Sequence, residues 1–109
     1  MAQPTLVVIA GEEEHVAYDR ERITVSTSVS TLDASKIFPS TGQQAHAAII
    51  NIQTNGVIVT FEGTTPSGSA GTIIDSPCIA TVSSPSMLKA LKMIRNGGSD
   101  ATVEVTYLR

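Results

Sequence analysis

The stretch of sequence most suggestive of chemistry is Glu62–Thr72, E-G-T-T-P-S-G-S-A-G-T, in which glycines alternate with small hydroxyl residues. A phosphate-binding loop has the pattern G-x-x-x-x-G-K-[ST], in which the Lys contacts phosphate and the hydroxyl binds Mg²⁺. Gly63 and Gly68 have the required spacing, but Ser69 and Ala70 occupy the positions of those two groups. We therefore do not expect nucleotide binding at this loop.

The same loop fails as a nucleophile elbow. In that motif a glycine precedes the reactive serine by two residues, and Ser67 occupies this position before Ser69. Pro66 fixes one backbone angle, and the glycines permit turns that other residues resist. We predict a wide polar loop between two β-strands with no catalytic role.

The chain has few residues that could carry thiol or imidazole chemistry. Cys78 is the only cysteine, which excludes an intrachain disulfide and a thiolate zinc cluster, and the histidines are His15 and His46. A Cys78–His46 dyad is conceivable, but nothing local favours it. We expect a buried, inert Cys78 and a surface or edge His46. The sequence predicts no catalytic residue, metal or cofactor, and the chain is not expected to be an enzyme.

The charge distribution divides the chain. The 109 residues carry a net charge of −3, and the first 22 contain five acidic residues and two arginines while the remainder is balanced. An acidic chain is unsuited to general nucleic-acid binding, and no apolar run reaches the ~20 residues of a membrane span. Glu12–Glu14 could hold a cation or a basic partner, or could form a solvated turn. We expect a soluble protein made in a reducing cytoplasm.

The elements that must position any site are strands. Side chains alternate between apolar and polar in Ile23–Val29, Val57–Glu62 and Thr102–Leu108, and the alternation is typical of half-buried strands. Ala47–Gln53 is a more buried run, and Asn55-Gly56 after it predicts a hairpin with Val57–Glu62. With turn residues every 8–12 positions, the pattern predicts an antiparallel, jelly-roll-like β-sandwich.

One segment has helical features instead. Ser84 is a candidate N-cap, Pro85 suits the first helical position, and apolar residues follow at helical spacing. We predict a short helix over Pro85–Ala90 and then a strand over Leu91–Arg95 that pairs with the final strand, Ala101–Leu108. An intervening turn would occupy residues 96–100.

Residues 1–22 form a predicted unit apart from a body at residues 23–109. They contain the β-branched apolar run T-L-V-V-I-A on an acidic background. Two interpretations are open: this run is the first strand of the sandwich, or it is an arm that adds to the sheet edge of a neighbouring subunit. The arm interpretation makes the run a candidate partner contact, comprising Thr5, Leu6, Val7, Val8 and Ile9.

The order of features from Ile23 to Arg109 resembles a group of small β-sandwich structural proteins of tailed bacteriophages. The shared traits are the E-G-T-T-P loop at Glu62–Pro66, the Ser84-Pro85 turn before a short helix, and the basic strand leading to G-G-x-D-A-T in Lys92–Thr102. The resemblance implies a head decoration or accessory virion protein with no catalytic residues. It also makes Thr64, Thr65 and Pro66 candidate partner contacts.

The leading hypothesis is therefore a capsid decoration or cement protein that binds the major capsid protein on the outer head. We expect it in the virion as a homo-oligomer, with a trimer favoured. The first alternative is a neck, tail or fibre-docking virion protein. The second is a carbohydrate-binding sandwich, for which Tyr18 and Phe38 are the available stacking platforms because Phe61 and Tyr107 are predicted to lie in the core.

Overall fold

A computed structural model describes the backbone of Thr5–Leu6 and all of residues 16–40 and 42–109. The described elements are, in chain order, β1 (Thr5–Leu6), β2 (Ala17–Val25), β3 (Ser30–Thr31), α1 (Ala34–Ile37), β4 (Ala47–Thr54), β5 (Val57–Thr60), β6 (Thr72–Ile74), β7 (Cys78–Val82), α2 (Pro85–Ala90), β8 (Lys92–Arg95) and β9 (Ala101–Leu108).

Two sheets pack face to face. One has the strand order β1-β7-β4-β9-β2 and is antiparallel except for the parallel β1–β7 pair, and the other is antiparallel with the order β3-β8-β5-β6. Lettered B to I in chain order, strands β2 to β9 give the sheets B-I-D-G and C-H-E-F, which is jelly-roll topology. The predicted all-β, jelly-roll-like sandwich is confirmed.

Strand β9 lies at the centre of the core. It pairs with β2 on one side and β4 on the other, and its residues alternate between buried and half-buried along its length. Val103, Val105 and Tyr107 have no exposed surface, as the alternation of the sequence predicted. On the opposing sheet, Val57 and Val59 of β5 complete this core, and Phe61 packs partly buried against it.

The predicted hairpin between β4 and β5 is wrong. The two strands belong to different sheets, so Asn55-Gly56 carries the chain from one layer to the other. A tight hairpin of this type needs positive φ at both turn residues, whereas here Asn55 has φ +58° and Gly56 does not share it. The Asn55 side chain instead donates a hydrogen bond to the carbonyl of Asp100, 2.9 Å away.

The helix prediction at Pro85–Ala90 is confirmed in both bounds, and a strand follows at Lys92–Arg95. The predicted partner of that strand is wrong, because β8 pairs with β5 and β3 and not with the final strand. The turn at residues 96–100 therefore crosses between the layers. Asp100 stabilises the crossing by accepting from Arg95 Nη1 at 2.8 Å.

Replacing the N-cap of α2, Ser84→Ala, is expected to lower the free energy of unfolding by about 1 kcal/mol. The Ser84 hydroxyl accepts a hydrogen bond from the backbone N–H of Met87 at 3.3 Å, and this N–H would lose its partner. Urea unfolding followed by circular dichroism would measure the change. Ser86→Ala, at an exposed helical position, is the control and should be close to neutral.

The N-terminal part of the body differs from the prediction. Strand β2 runs from Ala17 to Val25, so the expected boundary after residue 22 falls within a strand that pairs along β9. The expected strand over Ile23–Val29 ends at Val25, and Val29 is 42% exposed. Strand β2 was not predicted because its charged residues hide the apolar–polar alternation. These charges pair with the neighbouring strand: Arg22 Nε, for example, lies 3.2 Å from Glu104 Oε2.

Candidate contact surface at the helical end of the sandwich

Both helices and the long loop meet at one end of the sandwich. Thr31, Lys92 and Thr60 lie side by side in neighbouring strands, and the chain leaves β3 there for α1 and leaves β5 for the loop Phe61–Gly71. Helix α2 joins β7 to β8 at this same end and contacts α1. We call this surface the helical end.

The loop Phe61–Gly71 has a defined shape. The Thr60 hydroxyl donates a hydrogen bond to the carbonyl of Thr64, and Ser67 and Ala70 exchange backbone hydrogen bonds of 2.9 and 3.3 Å. Gly63 and Gly71 have φ of +91° and +135°, the left-handed region that glycine tolerates best. The loop is thus a wide corner between the antiparallel strands β5 and β6, as predicted.

A groove of about 500 Å³, the loop groove, runs between this loop and helix α2. Its walls are Val59, Thr60, Phe61, Glu62, Thr64, Ala70, Gly71, Thr72 and Met87. A second groove of about 530 Å³, the seam groove, opens between β6 and β7 and shares Phe61, Thr72 and Met87 with the first. Met87 therefore lies between the two grooves, and its side chain is 38% exposed.

The other large apolar side chain at this end is Phe38, which is 41% exposed just after α1. Lys89 of α2 places its ammonium 5.7 Å from the Phe38 ring centroid, within cation–π range. Helix α1 is held in place by Asp33, whose carboxylate caps Ser35 N–H at 2.9 Å. The Tyr18 hydroxyl donates a hydrogen bond to the carbonyl of Lys36 at the other end of the helix.

Beneath α1, a polar cluster links the helix to the sheet. The Glu21 carboxylate accepts hydrogen bonds from the Tyr107 hydroxyl and from the backbone N–H of Asp33. Burial of Tyr107, reinforced by this bond to Glu21, raises the pKa of its hydroxyl. The hydrogen bond between Lys36 and Asp19, 3.1 Å long, raises the pKa of Lys36. The polar groups of the cluster hydrogen-bond to one another, and these bonds position α1.

The structure separates the residues of the conceivable dyad. Cys78 is partly buried at the start of β7, where it pairs with Ile52, and it lines the seam groove. His46 is exposed just before the opposite end of β4. Ile52 and His46 are six positions apart along the extended chain, which corresponds to about 20 Å. This separation excludes the dyad, which the sequence had not favoured. Cys78 is only partly buried, less than expected. His15 and Glu12–Glu14 lie outside the described residues.

The candidate partner contacts lie in two places. Thr64 and Thr65 are exposed at the helical end, whereas Pro66 is buried within its own chain. Thr5 and Leu6 pair with Ile79 and Ala80 of β7, at the edge of the larger sheet. Val7, Val8 and Ile9 lie outside the described residues, and the interpretation of the N-terminal run as an arm stays a prediction.

Sequence reasoning missed the part of the surface around α1. Asp33, followed by A-S-K-I, is an available N-cap signal, but a helix of four residues leaves too short a periodic pattern to detect. Met87 was assigned to the helix by its spacing, but the spacing alone did not reveal that it faces the grooves.

The aromatic residues fit the prediction in part. Tyr107 is fully buried and Phe61 is partly buried, as expected for core residues. Of the two stacking platforms, Tyr18 is covered by the Arg109 guanidinium, whose central carbon lies 4.4 Å from the ring centroid. Only the Phe38 ring is left substantially open.

Metal binding and membrane crossing can be judged for the described residues, 5–6, 16–40 and 42–109. No group of three or more His, Cys, Asp or Glu side chains there could hold a metal ion. None of the helices there is long and apolar enough to cross a membrane. Comparison of the chain with protein-family models, with curated proteins and with solved structures found no match.

Proposed function

We propose that the chain is a non-enzymatic structural protein of a tailed-bacteriophage virion that decorates the outer surface of the head. In this proposal the helical end contacts the major capsid protein. The observation that carries it is the concentration of exposed Met87, exposed Phe38 and the shaped Thr64–Thr65 loop at one end of a rigid sandwich.

Two features support a contact function over a chemical one. Apolar anchors flanked by shaped grooves are what protein interfaces use, since a few buried side chains supply most of the binding energy. Jelly rolls also serve as capsid and lectin domains, although a fold alone does not fix a function. A decoration protein occurs in many copies, so that individually weak contacts sum across the shell. A homo-oligomer suits this arrangement.

Replacing Met87 by Lys is expected to weaken binding to heads at least about tenfold, which corresponds to ~1.4 kcal/mol. The substitution would place a charge between the two grooves, where contact with the capsid would desolvate it. The measurement is co-sedimentation of the purified protein with heads assembled without it.

Val29→Lys is the matched control for this substitution. Val29 is 42% exposed and follows β2 at the end of the sandwich away from the helices, so its replacement should leave binding unchanged. Head binding by Met87→Lys equal to that of the wild type would contradict the assigned surface. Binding of the wild type to isolated tails alone would favour the neck or tail alternative.

The exposed Phe38 ring favours one second candidate, a carbohydrate-binding module. A sugar would stack on the open face of this ring beside Lys89. Binding on a glycan array that is abolished by Phe38→Ala, together with no binding to heads, would support this candidate over the decoration protein.

A further inference from the structure

Strands β2 and β6, each at the edge of a sheet, differ in how their edges are protected. Strand β2 carries four consecutive charged residues, Asp19 to Arg22, and charges of this kind discourage pairing with another chain. Strand β6, T-I-I, carries neither a charge nor a proline. Among the described residues β6 pairs with β5 alone, and on its other side it borders the seam groove with no strand partner there.

An apolar row on the outer face of the smaller sheet ends at this edge. Ile94, Ile58 and Ile73 lie directly opposite one another in β8, β5 and β6. They face away from the core, because the flanking Val57 and Val59 belong to it. Ile58 has an isoleucine on each side and is 6% exposed, whereas Ile73, with a neighbour on one side only, is 56% exposed.

We propose that a second copy of this chain pairs its β6 with this β6, antiparallel, about a two-fold axis at Ile73. Thr72 would lie opposite the partner's Ile74, and Ile73 opposite the partner's Ile73. The two four-stranded sheets would become one sheet of eight strands, and the row of three isoleucines would become a row of six. Ile73 would then be flanked on both sides, as Ile58 already is.

A second copy suits this edge better than an unrelated strand does. The contact is isologous, so the same residues supply both halves and the register is self-complementary. Continuing the register by one residue sets Asp75 opposite the partner's Gly71, so no like charges face each other. With three residues on each side, the contact is small and strongly dependent on concentration. This dimer proposal does not depend on the proposed function.

Site-directed crosslinking tests the register directly. In antiparallel pairs, directly opposed Cα atoms are about 4.5–5.5 Å apart, which lies within the range that a disulfide spans. The variant Ile73→Cys with Cys78→Ser, treated with oxidised glutathione, is expected to form a covalent dimer. Val29→Cys with Cys78→Ser, which exposes a thiol away from β6, is the control and should stay monomeric. Absence of the Ile73→Cys dimer, or equal crosslinking of both variants, overturns the proposal.

Sedimentation equilibrium of the unmodified chain gives an independent readout. The wild type should show a concentration-dependent monomer–dimer equilibrium. Ile73→Lys should raise the dissociation constant of the dimer at least tenfold. Because Ile73 is exposed, the lysine variant should retain the wild-type circular dichroism spectrum. A wild type that stays monomeric, or an oligomer that Ile73→Lys leaves intact, contradicts pairing through β6.

Discussion

Replacing Tyr107 by Ala is expected to lower the free energy of unfolding by about 3–5 kcal/mol, a large part of the stability of a domain of this size. Tyr107 has no exposed surface and lies on the central strand β9 between β2 and β4. Its ring centroid is 6.4 Å from that of Tyr18, and its hydroxyl donates a hydrogen bond to Glu21. Truncation would therefore leave a cavity and remove the hydrogen bond to Glu21, the carboxylate that also holds the start of α1.

Tyr107→Phe separates these two contributions. It keeps the ring and removes only the hydroxyl, so the expected loss is about 1 kcal/mol. Glu21 would still accept from the Asp33 N–H and would remain partly hydrated. Urea unfolding curves of both variants provide the measurement. Equal losses for the two variants would show that the ring contributes little and would contradict the assigned core.

Gly71→Ala is expected to cost about 2–4 kcal/mol, the second largest effect. Gly71 has φ +135°, a backbone conformation that an L-residue rarely adopts. An added Cβ would also lie 2.6 Å from Ile58 Cγ2 and 3.1 Å from the backbone oxygen of Val59. The alanine would therefore push β6 away from β5 and distort the loop groove.

Gly68→Ala in the same loop is the matched control. Gly68 does not have a positive φ, and an added Cβ there meets no atom within 4 Å. Its replacement should change the unfolding free energy by no more than about 0.5 kcal/mol. Thermal or urea unfolding of both variants tests the pair. A Gly71→Ala protein as stable as Gly68→Ala would show that the corner does not require glycine.

The sequence predicted individual elements better than their partners. Strand β9 and the helix at Pro85–Ala90 were evident because alternation and N-capping are local signals. Pairing depends on which sheet each strand joins, and in this jelly roll most consecutive strands, β4 and β5 among them, belong to opposite sheets. Asn55-Gly56 was therefore mistaken for a hairpin turn, although it joins the two layers.

The candidate site was predictable in part. Turn chemistry identified the loop around Thr64, and the structure places it at a surface shared with α2. The exposure of Met87 could not be deduced, because helical spacing also suits a core residue such as Leu88, which is 1% exposed. Helix α1 and Phe38 were missed because a single turn gives no periodic signal. The helical end is formed by the connections β3–β4, β5–β6 and β7–β8. These are far apart in the sequence, so the surface can be recognised only once the topology is known.

Imaging of the virion is the most direct test of the decoration-protein proposal. Particles made with and without the gene for this chain would be compared by cryo-electron microscopy at a resolution sufficient to place the sandwich. The proposal predicts additional density on the outer head surface of the complete particles, with the helical end against the major capsid protein. Identical heads in the two preparations, or density confined to the neck or tail, would contradict it.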